Sequence, residues 1–554
     1  MPRVLKVLAI ALAVAALVVM SLPPDTTRTA APPASTVRGA FHIHSNRSDG
    51  GGSVEAIAEA AARAGLQFII LTDHGDGTRS PDAPAYHRGV LTIDGVELNT
   101  TSGHYAVIGL PVSPYPIAGT ADDVIEDVRR LGGFGIAAHP GSPRPSLSWQ
   151  GWEADFDALE WINGDSEWRD EPRLPIARAL FTYLVRAPQS LATLLDRPDA
   201  VLARWDALTA RRHIVGLAGA DAHARLGFRQ RTDPDVATIH VPMPGYAASF
   251  RTFSNHVVLA APFSGEAAAD ARVLIDGIRR GHVYSVIDAL AAPGSLSFTA
   301  TSGSRSAVMG ETLVIDGDVV MRASANAPPG TRLVLLRNGR RLRDVVDGPL
   351  EMNVGTDPGV YRIEAYTTGA PGDPTVPWIV SNPIYAGLER EPTSGATAPE
   401  PGSRIPARTS EASSESGPAD TSVVHTGDPA IQWSFALSPG IAAGQFAAAR
   451  VPVSGGLETS DRVRFRVHAP VPMRIWVQLR TSGREAERWG RTFYVDTGSR
   501  LIDLPWATFK AIGVTASPQA PLDRVDSLLW VVDTLNTLPG TAGNLTISEV
   551  AFVK

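Results

Sequence analysis

Between residues 37 and 290, apolar runs end repeatedly in a histidine or a carboxylate, and helical runs alternate with several of them. The run 68–71 ends at Thr72-Asp73-His74, and the runs 90–93 and Val96 lead to Glu97. His104 opens the run 105–110, and 134–138 ends at His139-Pro140. The run 158–162 ends at Asn163-Gly164, and 214–218 ends at Gly219-Ala220-Asp221-Ala222-His223. Residues 53–64 place Val54, Ile57, Ala58, Ala61 and Ala62 at helical spacing, with Ser53 as N-cap and Gly65 as stop. Further helices are predicted over 121–131 and 269–280. Strands alternating with helices predict an α/β fold on a parallel sheet. Such folds build their sites at the C-terminal ends of strands, which is where these polar residues fall.

At 554 residues the chain exceeds one ordinary domain. It has no cysteine, so neither disulfides nor thiolate metal sites are available, and a transition-metal site must use His, Asp and Glu. The net charge of −7, with no basic run, argues against a nucleic-acid-binding surface. Arg3 and Lys6 precede an apolar run over 7–19, and Pro23-Pro24 closes it. Residues 1–24 therefore read as a signal peptide or, through 7–22, an N-terminal membrane anchor. Either places the remainder outside the cytoplasm: secreted, periplasmic or on the outer face of the membrane. Residues 25–36 are Thr/Ala/Pro-rich and read as a tether. Residues 37–290 form the α/β domain. Short alternating segments over 291–387 predict an immunoglobulin-like β-sandwich. Residues 388–427, rich in Pro, Ser, Glu, Thr and Ala, read as a disordered linker. Residues 428–554 predict a second, jelly-roll sandwich resembling carbohydrate-binding modules in general pattern. Its Trp433, Trp476, Trp489, Trp506 and Trp530 suggest a polysaccharide or cell-envelope surface, against core packing as the commoner role.

The first domain gathers nine ligand-type residues: His42, His44, Asp49, His74, Glu97, His104, His139, Asp221 and His223. In an extended strand His42 and His44 point to one side, a half-site for a metal ion. One such histidine means little; the ordered set His-x-His, Thr-Asp-His, Gly-Val-Glu, Ala-His-Pro and Asp-x-His means much more. With Ser48-Asp49-Gly50 and His104, these motifs resemble the PHP family (polymerase and histidinol phosphatase). The resemblance implies a distorted seven-stranded, TIM-like α/β barrel holding two or three divalent metals. Carried over, it places His42, His44, Glu97 and Asp221 on the first metal. Glu97, His104 and His139 fall on the second, with Glu97 bridging, and Asp49, His74 and His223 on the third.

Imidazole and carboxylate ligands suit Zn, Mn or Fe. Paired cations about 3.5–4 Å apart generate hydroxide near neutral pH and clamp both oxygens of a displacement at phosphorus. The expected function is an exported metal-dependent phosphoesterase acting on a phosphate mono- or diester, small molecule or polymer. Glu97, Asp221, His223 and Arg225 are its expected catalytic residues. Arg225 and Arg144 would pair with phosphate oxygens, each against a solvated surface role. Asp73 would orient a ligand, or cap a turn. Asn163 would line the pocket, and Trp161 and Trp168 beside it would pack in the core. His282 and Tyr284 would close the barrel. Two alternatives remain: a non-catalytic envelope or glycan-binding protein with a structural metal barrel, and a hydrolase of a non-phosphorus bond.

Overall fold

A computed structural model describes residue 6 and residues 19–230, 233–388, 403–427, 430–483 and 486–554, with backbone alone at 227–230 and 233–239. The expected leader falls largely on residues outside that set. Among the described residues no helix is long and apolar enough to cross a membrane. The chain divides into two compact units. The first takes Met1–Gly75, Pro81–Pro111 and Val128–Pro392; the second takes Asp76–Ser80, Val112–Asp127 and Thr393–Lys554.

The first unit contains a closed barrel. Thr36–Ile43 pairs in parallel with Phe68–Leu71, which pairs in parallel with Val90–Asp94. The chain continues through Gly95 as Val96–Thr100 and returns as Gly103–Ile108, antiparallel both to it and to Phe134–Ala137. Phe134–Ala137, Ala158–Asn163 and Val215–Ala222 pair in parallel, and Val215–Ala222 closes the circuit on Thr36–Ile43. The expected all-parallel sheet is thus corrected at Gly103–Ile108. Only Thr101 and Ser102 separate it from the preceding strand, too few for a crossover helix. Gly103, at φ +108, makes that return possible.

Alternate residues of each strand serve opposite faces. Phe41, Ile70, Ile93, Ala106, Ile136 and Leu217 join one apolar cluster. Ala40, Ile69 and Leu71 join another, with Ile57 and Ala61 of the helix Val54–Ala64 and with Phe250. That helix is bounded as its sequence predicts: Ser53 accepts the Ala56 N–H, and Gly65 ends it at φ +75.

The β-sandwich follows, but the boundary near 290 is not a break. Ser254–Val258 pairs with Thr36–Ile43 and with Val283–Val286, which pairs with Ile379–Ser381. Ile379–Ser381 pairs with Gly359–Tyr366, so one hydrogen-bonded ladder runs from barrel to sandwich. Against that sheet lies a second, ordered Arg305–Val308, Leu296–Ser302, Val319–Ala325, Leu350–Asn353. Tyr284 is buried in their shared core, and His282 Nε2 lies 3.4 Å from Glu311.

The expected tether over 25–36 is also corrected. Thr27–Arg28 pairs in parallel with Ala291–Ala292, and the Thr26 and Thr29 hydroxyls donate to the Ala289 and Pro293 carbonyls. Composition suggested a free segment, but backbone pairing needs no apolar side chain.

The second unit is a sandwich of two six-stranded sheets. The expected linker over 388–427 is wrong from Arg404 onward. Arg404–Pro406, Ser413–Ser416 and Thr421–Gly427 are strands of these sheets, and 389–402 lie outside the described residues. These strands expose most of their side chains, so they carry few large apolar residues. Trp433, Trp489 and Trp530 are fully buried and Trp506 nearly so. They fill the core rather than present a stacking face. Arg474 is fully buried in this unit and donates to Asp123, Glu126 and Asp127 at 2.7–2.9 Å. Asn536 donates to the Pro116 and Ala118 carbonyls.

Candidate metal centre

All nine sequence-derived ligands converge at one end of the barrel. Overlapping groups place their donor atoms within 4.8 Å of one another: His42/His139/Asp221, His42/His44/Glu97, His44/Asp49/His74, His44/Asp221/His223 and His74/Glu97/His104. The groups share members, His44 above all, so they do not divide cleanly into the three expected sets.

Glu97 is central and 1% exposed. Its Oε1 lies 2.9 Å from His104 Nδ1 and 3.0 Å from His139 Nε2. Its Oε2 lies 3.2–3.4 Å from His42 Nε2, His44 Nε2 and His74 Nδ1. Each carboxylate oxygen therefore faces a different set of imidazoles, the geometry of a bridging ligand. Asp221 Oδ1 lies 3.5 Å from both His42 and His44 Nε2. Asp49, half exposed, lies 3.2 Å from His44 Nδ1 and from His223 Nε2, and 3.6 Å from His74 Nε2.

The donor set fits a cation. His42 Nε2, His44 Nε2 and His74 Nδ1 are buried and have no hydrogen-bond partner, although carboxylate oxygens lie close by. Nitrogens that face carboxylates without bonding them are arranged as co-ligands. The tautomers agree. His42 Nδ1 is spent on Glu160, His139 Nδ1 on the Leu147 carbonyl and His223 Nδ1 on the Asp221 carbonyl. Each leaves Nε2 free to turn inward.

The electrostatics point the same way. Burial pulls the His42 and His44 imidazoles down, yet the surrounding carboxylates outweigh it and hold both well above the ordinary value. Burial pushes Glu97 and Asp221 up, and the histidines reverse that, holding both low. The cluster demands positive charge, which protons or metal ions can supply.

Backbone strain concentrates here. His42, His139 and Asp221 have φ of 64°, 32° and 45°, in the left-handed region that costs a non-glycine residue about 1–3 kcal/mol. Regular strand alternation therefore does not by itself align His42 with His44.

Glu160 is absent from the sequence-derived set. It is fully buried, 2.6 Å from His42 Nδ1, and it accepts the His139 N–H at 2.6 Å and Asn163 Nδ2 at 2.8 Å. Its one sequence signal is a charge inside the apolar run 158–162. A Cβ at Gly219 would come within 1.8 Å of Glu160 Oε1, so glycine there reserves the carboxylate's space. Tyr246, also absent from that set, puts its hydroxyl between the His44 and His223 carbonyls and accepts the Gly52 N–H.

The lesser expectations divide. Asp73 accepts the Ser45 N–H and the Ser45 and Ser48 hydroxyls, pinning the loop that carries Asp49 rather than orienting His74. Asn163 caps the helix Gly164–Arg169 and braces Glu160 instead of lining the pocket. Trp161 is core, and its indole N–H donates to Ser285. Arg144 and Arg225 do line the cavity above the cluster, which measures about 720 Å³, and Trp168 lines it too rather than packing in the core. Arg225 reaches the His240 ring at 3.2–3.3 Å.

No family model matches the chain. It is similar to the uncharacterized protein MJ1587 of Methanocaldococcus jannaschii, at 29% identity over 111 residues. That match takes 19% of this chain and 64% of the relative, under two thirds of its length. Among solved structures it is similar to a two-domain protein from Bacteroides vulgatus containing a predicted PHP-like metal-dependent phosphoesterase. The TM-score is 0.29 at 15% identity, over 65% of this chain and 99% of that one. It is also similar to a family 11 carbohydrate-binding module from Clostridium thermocellum, at TM-score 0.24 and 12% identity over 27% and 95% of the two chains.

Proposed function

We propose that the chain is a metal-dependent hydrolase of phosphate mono- or diesters, working outside the cytoplasm on a distorted seven-stranded barrel. The observation that carries this reading is Glu97, whose two oxygens face separate groups of histidines. Two or three divalent ions, Zn, Mn or Fe by ligand chemistry, would be held by the nine residues. When bound, such ions lower the pKa of water to about 7 and stabilise charge at phosphorus.

The chain's own groups do the rest. Glu160 accepts a hydrogen bond from His42 Nδ1–H and fixes the ring. Asp73 holds the loop of Asp49, and Tyr246 ties the His44 and His223 backbones together. Arg144 and Arg225 supply cationic donors for the non-bridging oxygens of the ester. The extracytoplasmic placement rests on Arg3, Lys6 and the apolar run 7–19.

The test uses the full-length protein and its His42→Ala variant. Bound metal is quantified by elemental analysis, and Mn²⁺- and Zn²⁺-supported hydrolysis is assayed on 4-nitrophenyl phosphate and bis(4-nitrophenyl) phosphate. Two or three ions, with turnover that chelation and His42→Ala both abolish, is the expected result. Stoichiometric metal with no turnover on either ester would defeat the phosphoesterase reading in favour of a structural barrel or a non-phosphorus bond.

A further inference from the structure

The cavity above the cluster has two chemically different walls. One carries the histidines, Asp49, Asp221, Arg144 and Arg225, and Asp165, Glu167 and Arg169 add further charge to the lining. The other is hydrocarbon: Ile176 and Leu180 of the helix Arg173–Ala192 before its kink at Arg186, Leu191 after it, then Leu194, Leu195 and Phe253. A small hydrophilic ester would occupy the first wall and leave the second facing water.

The same helix turns a second apolar face outward. Leu174, Phe181, Leu184 and Val185 are 80%, 43%, 90% and 58% exposed. Their spacing of seven, three and one residues keeps them on one side of the helix. Leu180, 49% exposed, belongs to the cavity mouth, so the outer stripe and the inner wall meet there. An exposed stripe of large apolar side chains marks an interaction surface. Exposed Arg173 and Arg178 lie on the same helix, as cations do where a helix rests on anionic headgroups.

The chain leaving the apolar run 7–22 is fastened to this helix at and just beyond its kink at Arg186. Arg186 Nη1 donates to the Pro23 carbonyl at 2.5 Å, and Gln189 Nε2 donates to the Thr26 hydroxyl at 2.9 Å. Pro23 and Thr26, which follow the most hydrophobic stretch in sequence, are thus tied to the element with the exposed stripe.

We propose that the substrate is a lipid phosphoester, drawn from a bilayer on which the helix Arg173–Ala192 rests. Its phosphate sits at the histidine cluster and its hydrocarbon chain lies along the aliphatic wall. This rests on the phosphoesterase reading and names the substrate class for it.

The test reads binding apart from turnover. Non-hydrolysable methyl-, hexyl- and decylphosphonate are titrated calorimetrically into the metal-loaded full-length protein. Each buried methylene is worth up to about fourfold in affinity, so Kd should fall at least about 100-fold from methyl to decyl. In Leu180→Asp the methyl-to-decyl ratio should shrink to a few-fold, while Leu180→Met keeps it. A native ratio near one overturns the proposal, whatever the variants do. If the ratio holds but no ester is turned over, the reaction reading fails and the lipid-shaped cavity stands.

The source of the lipid is read separately. The chain has no cysteine, so Leu184→Cys takes a polarity-sensitive fluorophore at a unique position. Phosphatidylglycerol-containing vesicles should blue-shift that probe and leave one at Arg211→Cys unmoved. No shift at 184 overturns the bilayer source.

Discussion

Glu160 shows how much of the centre depends on a residue that no metal needs to touch. It accepts from His42, from the His139 backbone and from Asn163. In Glu160→Gln the amide has one acceptor oxygen for three N–H donors, so at least one buried donor is orphaned. We expect metal affinity to fall about 10–100-fold, measured by competition with a calibrated chelator, while circular dichroism stays native. Unchanged affinity would reduce Glu160 to packing. The nine candidate ligands were legible because most stand at the start or end of an apolar run, and Asp49 lies in the loop just after one. Glu160 stands inside one, where spacing marks nothing, and the left-handed φ of His42, His139 and Asp221 leaves no trace in residue type.

At the scale of elements, the strand Gly359–Tyr366 does the joining. Its Arg362 forms a bidentate pair with Asp206 on the helix Asp199–Thr209, and its Glu364 accepts from Arg197 at 2.8 and 3.2 Å. Arg362 also bonds Glu364 directly. Burial raises the Glu364 carboxyl, but Arg362 and Arg197 overcome it and bring it down to about 2. A depressed carboxyl contributes stability that is complete above its unfolded value near 4.5 and is lost as pH falls towards 2. That contribution is about 3 kcal/mol. Glu364→Gln should therefore lower Tm at pH 7 and flatten the decline of Tm between pH 4.5 and 2.5; a parallel decline would refute the assignment. The caps of Val54–Ala64 were legible because capping is local. The antiparallel run of Gly103–Ile108 and the strands after Arg404 were not, because backbone partners, not side chains, define them.

Across the whole molecule, the two compact units alternate along the chain, which composition had suggested were simple successive domains. Residues 112–127 belong with the C-terminal strands, where Arg474 satisfies Asp123 and Asp127 in a buried cluster. Arg474→Ala removes the buried guanidinium that bonds both carboxylates and should cost about 3–5 kcal/mol. Chemical denaturation of the full-length variant measures this, and a loss below about 1 kcal/mol would show the cluster to be solvated.

The same pairing sets a timetable for biosynthesis. Asp127 and Arg474 are 347 residues apart. At ~5–20 residues per second a ribosome needs roughly 20–70 s to bridge that interval. Throughout it the nascent chain carries the acidic segment 112–127 without its arginine, between barrel strands that have already been made. Completion of the N-terminal half thus waits on nearly the last part to be translated, and a chain stalled before Arg474 would reach the quality-control machinery with that segment still open.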